Sequence, residues 1–257
     1  MKTIAICNHK GGVGKTALSM AIAEGLHRKG KRTLLVDLDQ QMNATQQAKI
    51  DTTDEVTVYD LLTSFDYTAK DGIKHFDGGD IIPGDVLVSN AESDMAKLDT
   101  RLTMLADAME GIDDDYDYAI IDCPPSLGLV TRNAMVAADE LIVPVIPNRS
   151  SLKGFTNIQK CVNSVRRNKR LNPNLRIAGK FVAPKCDEDL LEDPAVRDEL
   201  LARRGYAKEI RNRYASAVPD YGEDNVRAAG QAGTHSVQHP VIESGRTREQ
   251  SDRNVEH

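Results

Sequence analysis

Between Ile4 and Thr16 the chain reads Ile4-Ala5-Ile6-Cys7-Asn8-His9-Lys10-Gly11-Gly12-Val13-Gly14-Lys15-Thr16, an apolar run feeding a glycine-rich loop with two lysines and a threonine. Glycines let the backbone turn tightly and bring successive N–H groups onto phosphate oxygens, where side chains would clash. A helix starting near Lys15 adds the partial positive charge of its N-terminus. Lys15 can reach β- and γ-phosphates, and the Thr16 hydroxyl is placed to ligate Mg²⁺. Strand, loop and helix in that order make a phosphate-binding P-loop, so the nucleotide set runs Lys10, Gly11, Gly12, Val13, Gly14, Lys15, Thr16 and Ala17. The usual pattern has glycine at position 9; this chain has His9, and Lys10 stands at the loop's mouth. A glycine-rich turn with a solvated lysine is the plain alternative, and the flanking strand and helix argue against it.

Two later stretches supply carboxylates. Thr33-Leu34-Leu35-Val36 reads as a buried strand and ends in Asp37-Leu38-Asp39. Functional residues of parallel sheets gather at the carboxyl ends of strands, which puts both aspartates on the P-loop's side. Tyr118-Ala119-Ile120-Ile121-Asp122-Cys123-Pro124-Pro125 is apolar up to an aspartate at a strand's end, a Walker B element whose carboxylate holds Mg²⁺ directly or through water. A strand-terminal aspartate alone is often a cap; with a P-loop upstream the metal role is the better reading. Asp113-Asp114-Asp115 reads as an exposed loop without function.

Strands are expected at Thr3–Cys7, Thr33–Val36, Asp80–Pro83, Tyr118–Ile121, Leu141–Val145, Arg176–Val182 and Ile210–Val218. Helices are expected at Lys15–Arg28 (closed by Gly30), Val58–Thr63, Ala91–Met109, Ser151–Arg166 and Pro194–Arg203. The alternation predicts an α/β fold: a doubly wound, mostly parallel sheet with helices on both faces, in three layers. One domain is expected over 1–243, followed by a polar, mobile tail over 244–257.

At 257 residues the chain has ample length for a buried core, built from Val, Ile, Leu, Ala and Met because aromatics are 4% and Trp is absent. No apolar run approaches the roughly 18 residues of a membrane span, and no signal-peptide layout is present. The four cysteines are scattered, and Cys7 and Cys123 fall on strands as small buried residues. A cytoplasmic protein is expected. The net charge of −6 is uneven: residues 1–148 carry 13 Lys/Arg against 24 Asp/Glu, and residues 149–257 carry 20 against 15. Arg166, Arg167, Lys169 and Arg170 cluster, as do Arg203 and Arg204, and Arg211 and Arg213. Such a basic face on an acidic protein points to a polyanion partner; the plain alternative is a solvated helix end.

Lys10–Thr16, Asp37-Leu38-Asp39-x-Gln41-x-Asn43-Ala44-Thr45 and Ile121-Asp122-Cys123-Pro124-Pro125-Ser126 together resemble the ParA/Soj partition ATPases, of the deviant-Walker-A group of P-loop proteins. Asn133-Ala134, Ala137-Ala138-Asp139-Glu140 and Asn225-Val226-Arg227 fit the same pattern, and the resemblance spans residues 1 to about 241. It implies that Lys10 is the signature lysine, which enters the partner's site when two ATP-bound protomers face each other. It also implies that Asp39 positions the attacking water, and that Asp37 and Asp122 complete the Mg²⁺ surroundings with Thr16. The implied protein is a homodimer when ATP-bound that holds DNA without sequence preference on the nucleoid. A ParB-like centromere-binding partner stimulates its slow hydrolysis, and no membrane is involved. The late basic residues with Arg227 become the phosphate contacts.

Departures from the family are Gln40 in place of proline and Met42 in place of glycine, from which a less sharply turned switch I is expected. Lys185-Cys186 replaces polar residues near the adenine pocket, leaving Pro219 as the candidate there. No closing apolar helix is recognisable past residue 241, and no helix-turn-helix precedes the P-loop, so the small form is expected. A MinD-like membrane ATPase would end in a basic amphipathic helix, which Ser244–His257 is not. An iron-protein reductase would need a second bridging cysteine. The alternative that remains is an ATP switch positioning a protein cargo, such as a chemotaxis, carboxysome, conjugation or division-site complex.

Overall fold

The computed structural model describes residues 1–145 and 149–182, in the order β1 (Lys2–Ile6), α1 (Lys15–His27), β2 (Thr33–Asp37), α2 (Asn43–Gln47), α3 (Val58–Thr63), α4 (Ala69–Gly72), β3 (Lys74–Phe76), β4 (Gly79–Ile82), α5 (Val88–Met95), α6 (Met104–Ala108), β5 (Tyr118–Asp122), α7 (Leu129–Ala137), β6 (Glu140–Val145), α8 (Arg149–Arg167) and β7 (Arg176–Val182). The expected helix Pro194–Arg203, strand Ile210–Val218, tail 244–257 and the residues Lys185, Cys186, Arg203, Arg204, Arg211, Arg213, Pro219 and Arg227 lie outside the described residues.

The strands form one sheet in the order β3-β4-β2-β5-β1-β6-β7. Every pairing is parallel except β3 with β4. Strands buried on both faces need no polar alternation, and β2 and β6 are buried at every position. Their side chains point alternately to two cores. Ile4, Ile6, Leu35, Ile120 and Ile142 pack with Leu18, Ile22 and Leu26 of α1. Ala5, Leu34, Val36, Ile121 and Val143 face the other way, onto residues of α3, α5, α6, α7 and α8. The expected mostly parallel sheet with helices on both faces is therefore what forms. Cys7 and Cys123 are fully buried, as small core residues should be.

The stretch expected as one helix over Ala91–Met109 is two, α5 and α6, with turns between them. Asn133, fully buried on α7, accounts for the break: its Nδ2 donates to Arg101 O at 2.8 Å and its Oδ1 accepts the Leu105 amide at 3.2 Å. One side chain thus satisfies backbone groups that a continuous helix would have paired internally. Asn133→Ala strands those groups in the core. A loss of about 2–4 kcal/mol in urea unfolding is expected, since each buried unsatisfied group costs roughly 1–3 kcal/mol; a loss under about half a kcal/mol would refute the role. Four of the described elements have no sequence expectation: the short helices α2 and α4, α7 itself, and β3, the last joined to β4 through Asp77-Gly78.

A candidate nucleotide and magnesium site

Register decides what meets at the carboxyl edge of the sheet. β5 lies between β1 and β2, with Asp122 in line with Ile6 on one side and Asp37 on the other. The Walker B aspartate is thereby held between the P-loop, which leaves β1, and the switch segment, which leaves β2. All three lie at the crevice where doubly wound sheets bind ligands.

The loop itself is shaped by two glycines in left-handed geometry, Gly12 at φ 70° and Gly14 at φ 83°. Gly14 is also the N-cap of α1, with no capping side chain and no acidic residue in the first turn. The first-turn amides of α1 are therefore left for an outside acceptor. A Cβ added at Gly11, Gly12 or Gly14 would meet nothing within 4 Å, so the loop borders open space. Val13 is buried and gives the loop only its backbone; Gly11 and Ala17 are exposed, Thr16 and Lys10 are partly buried, and Lys15 is 7% exposed. Asn8 braces the mouth: its Nδ2 donates to Pro144 O at 2.6 Å and its Oδ1 accepts the Lys10 amide at 3.1 Å.

The two aspartates expected around the metal differ in how their oxygens are used. Asp37 accepts the Asp39 amide on Oδ1 at 3.1 Å, and on Oδ2 both the amide and the hydroxyl of Thr45, at 2.9 and 2.8 Å. Thr45 Oγ1 in turn accepts the Gly84 amide at 2.8 Å. Asp37 is thus engaged in fixing the switch. Burial pushes its pKa up, the Thr45 and Asp39 hydrogen bonds pull it down, and the charge of Asp39 raises it again. Asp122 Oδ1 accepts the Ser19 hydroxyl at 3.0 Å, whereas Oδ2 is buried without a hydrogen-bond partner. Burial pushes the Asp122 carboxyl up to about 7, helped by the charge of Asp37 and opposed by Thr16, Ser19 and Lys15. An orphaned, buried carboxylate oxygen beside a hydroxyl and a lysine is what a hard divalent cation, or its water, satisfies. The residues present therefore fit Mg²⁺, and the fit rests on Asp122 and Thr16 more than on Asp37.

In the switch, Asp39 is buried and its Oδ1 accepts the Gln41 amide at 3.0 Å. The less sharply turned switch expected from Met42 is not what forms. Met42 itself takes φ 53° and ψ 30°, and its amide closes the turn onto Asp39 O at 2.8 Å. A left-handed non-glycine residue costs about 1–2 kcal/mol, which the Asp37–Thr45 contacts offset. Ser19, Thr45, Gly84 and Asn8 were not singled out from the sequence. Thr45 stood inside the quoted switch motif; the others are marked only by the folded geometry.

Of the basic residues, Arg166 and Arg167 end α8, and Lys169 and Arg170 follow; all four are exposed. A groove of about 330 Å³ along α8 is lined by Lys160, Asn163, Ser164 and Arg167. No carboxylate occurs between residues 141 and 186, so α8 carries no acidic residue of its own.

A family model described as an AAA domain matches residues 1–177. The sporulation initiation inhibitor protein Soj of Bacillus subtilis is 42% identical over 181 residues, 69% of this chain and 70% of that protein. The chain belongs to the ParA/Soj family of P-loop ATPases. The chromosome partitioning protein ParA of Caulobacter vibrioides is 31% identical over 263 residues, 97% of each chain. Among solved structures, cobyrinic acid a,c-diamide synthase from Mycobacterium smegmatis with bound ADP and magnesium superposes with a TM-score of 0.70. It is 30% identical, over 79% of this ParA/Soj-family chain and 82% of that one. Among the described residues no helix is long and apolar enough to cross a membrane.

Proposed function

We propose that this ParA/Soj-family chain hydrolyses ATP with Mg²⁺ and uses the cycle to time DNA segregation. Two ATP-bound copies pair, the pair holds duplex DNA without sequence preference, and a ParB-like centromere-binding partner stimulates hydrolysis and release. The observation that carries the reading is the orphaned Oδ2 of Asp122, held in register between the P-loop and the switch.

The roles follow from position. Backbone amides of residues 11–16 cradle the phosphates, and Lys15 neutralises the β- and γ-oxygens. Bound Mg²⁺ would supply charge neutralisation across the phosphates, with Thr16 and Asp122 holding it directly or through water while Asp37 keeps the switch in place. Asp39, anchored through Oδ1 by the Gln41 amide, leaves Oδ2 to orient the attacking water. Lys10, at the mouth, reaches the partner's phosphates and neutralises charge in trans as an arginine finger does. Pro219 serves the adenine side. Arg166, Arg167, Lys169 and Arg170 on and after α8, with Arg211, Arg213 and Arg227 later in the chain, contact DNA phosphates, which gives affinity without sequence information.

Retention on a nonspecific duplex tests this, measured with ATP, ADP or no nucleotide over a range of salt. Binding is expected with ATP and to fall steeply with salt, each phosphate contact adding about 0.9 to the slope of log affinity against log salt. Charge reversal at Arg166 and Arg167 should flatten that slope by about two contacts and leave nucleotide affinity alone. No retention in any state would overturn the segregation reading and leave the switch that positions a protein cargo.

A further inference from the structure

The phosphate loop is joined to α8 by one contact that the proposed chemistry does not use. His9 lies against Gly154 of α8: a Cβ placed on Gly154 would fall 2.3 Å from His9 Cε1, closer than real Cβ atoms approach, and 3.0 Å from Nδ1. Gly154 is buried inside a 19-residue helix, where glycine is a poorer helix former than alanine. It is not among the residues of positive φ, so backbone freedom does not explain it; the imidazole occupying the place of its side chain does. His9 is followed by Lys10, whose amide hangs on Asn8, and Asn8 is fixed to Pro144 of β6. The mouth of the loop, β6 and the first turns of α8 are thus one chain of contacts. From Gly154 the helix runs about 20 Å, at roughly 1.5 Å per residue, to Arg166 and Arg167.

We propose that His9 is a positioning residue that couples occupancy of the phosphate loop to the set of α8, through the Cε1 edge of its ring on Gly154. The inference rests on reading the basic end of α8 as a duplex-binding surface. Close-packed contacts transmit displacement because they have no slack to absorb it. When residues 9 and 10 shift around a γ-phosphate, the ring carries that shift into the helix. Coupling of this kind is reciprocal, so DNA on α8 must tighten nucleotide in the loop by the same factor that nucleotide tightens DNA.

The test is the affinity of the full chain for a fluorescent, non-hydrolysable ATP analogue with Mg²⁺, titrated with and without nonspecific duplex. Wild type is expected to bind the analogue at least about fivefold more tightly with duplex present. His9→Ala should bring that ratio to one while affinity without duplex stays at the wild-type value. His9 is exposed to solvent, so alanine there does not threaten the fold. His9→Gln, a planar side chain of similar reach, should restore the ratio, which a purely structural role would not require. Gly154→Ala should lower the ratio in wild type and do nothing further in the His9→Ala background, because the methyl then has room. A wild-type ratio kept in His9→Ala would overturn the coupling while leaving the DNA reading intact. A wild type that never binds duplex would overturn the DNA reading itself, and this inference with it.

Discussion

Lys10→Ala is expected to bind Mg²⁺·ATP with near wild-type affinity and to lose about 10³–10⁵ in hydrolysis, the worth of a charge supplied in trans to a transferring phosphoryl group. Position argues for the split. Lys15 begins α1 and is buried, so it belongs to the phosphate cradle of its own chain. Lys10 precedes the glycines, and its amide is tied back to Asn8. Its backbone is therefore held at the rim, where the phosphates of a facing protomer would approach. Lys15→Ala should fail earlier, with nucleotide affinity down by about 10²–10⁴-fold, since it loses charge-assisted hydrogen bonds at roughly 1.5–3 kcal/mol each. Equilibrium nucleotide binding, phosphate release and sedimentation with ATP separate the two. A Lys10→Ala protein that still forms an ATP-dependent dimer and turns over at the wild-type rate would remove the trans role.

How much of this could be read beforehand depended on whether the cause lay within a segment or between segments. The strands β1, β2, β5 and β6 are legible because burial on both faces writes itself as an apolar run, and β7 begins and ends where the sequence placed it. The P-loop is legible because phosphate chemistry leaves few choices of residue. Failures came from elsewhere in the fold. The break between α5 and α6 is made by Asn133, which no pattern within 91–109 reveals. α7 is buried at Val130, Thr131, Asn133, Ala134, Met135 and Val136, so it has no polar face to give a helical period. β3, joined to β4 through Asp77-Gly78, has only three residues, too few to show a strand period. In the site, the carboxylates could be found by type but not told apart. The difference between Asp37 and Asp122 is which oxygens other residues occupy, and Thr45 and Ser19 settle that only once β2, β5 and α1 are side by side.

That difference gives the pH dependence of folding its sign. The native Asp122 carboxyl takes up its proton at a pH of about 7, against 3.8 for an ordinary aspartate. Between those values the native chain binds the proton that the unfolded chain has released, so stability falls as pH rises through the window. Burial pushes Asp37 in the same direction. Nucleotide-free protein should therefore lose stability from about pH 4 to 7, on the order of 4 kcal/mol, because a tenfold change in proton affinity is worth about 1.36 kcal/mol. Asp122→Asn keeps the shape and removes the charge. Its unfolding by urea should be flatter across that range, and it should be more stable than wild type at the alkaline end. The same variant should lose at least about 10–100-fold in Mg²⁺-dependent hydrolysis, the range seen when support for a bound metal is removed. Stability gained and activity lost in one substitution is the mark of a carboxylate kept for a cation rather than for the fold. If the variant matched wild type in its pH dependence, the buried charge would not be where the site needs it. If it also kept its hydrolysis, Asp122 would be no part of the magnesium site.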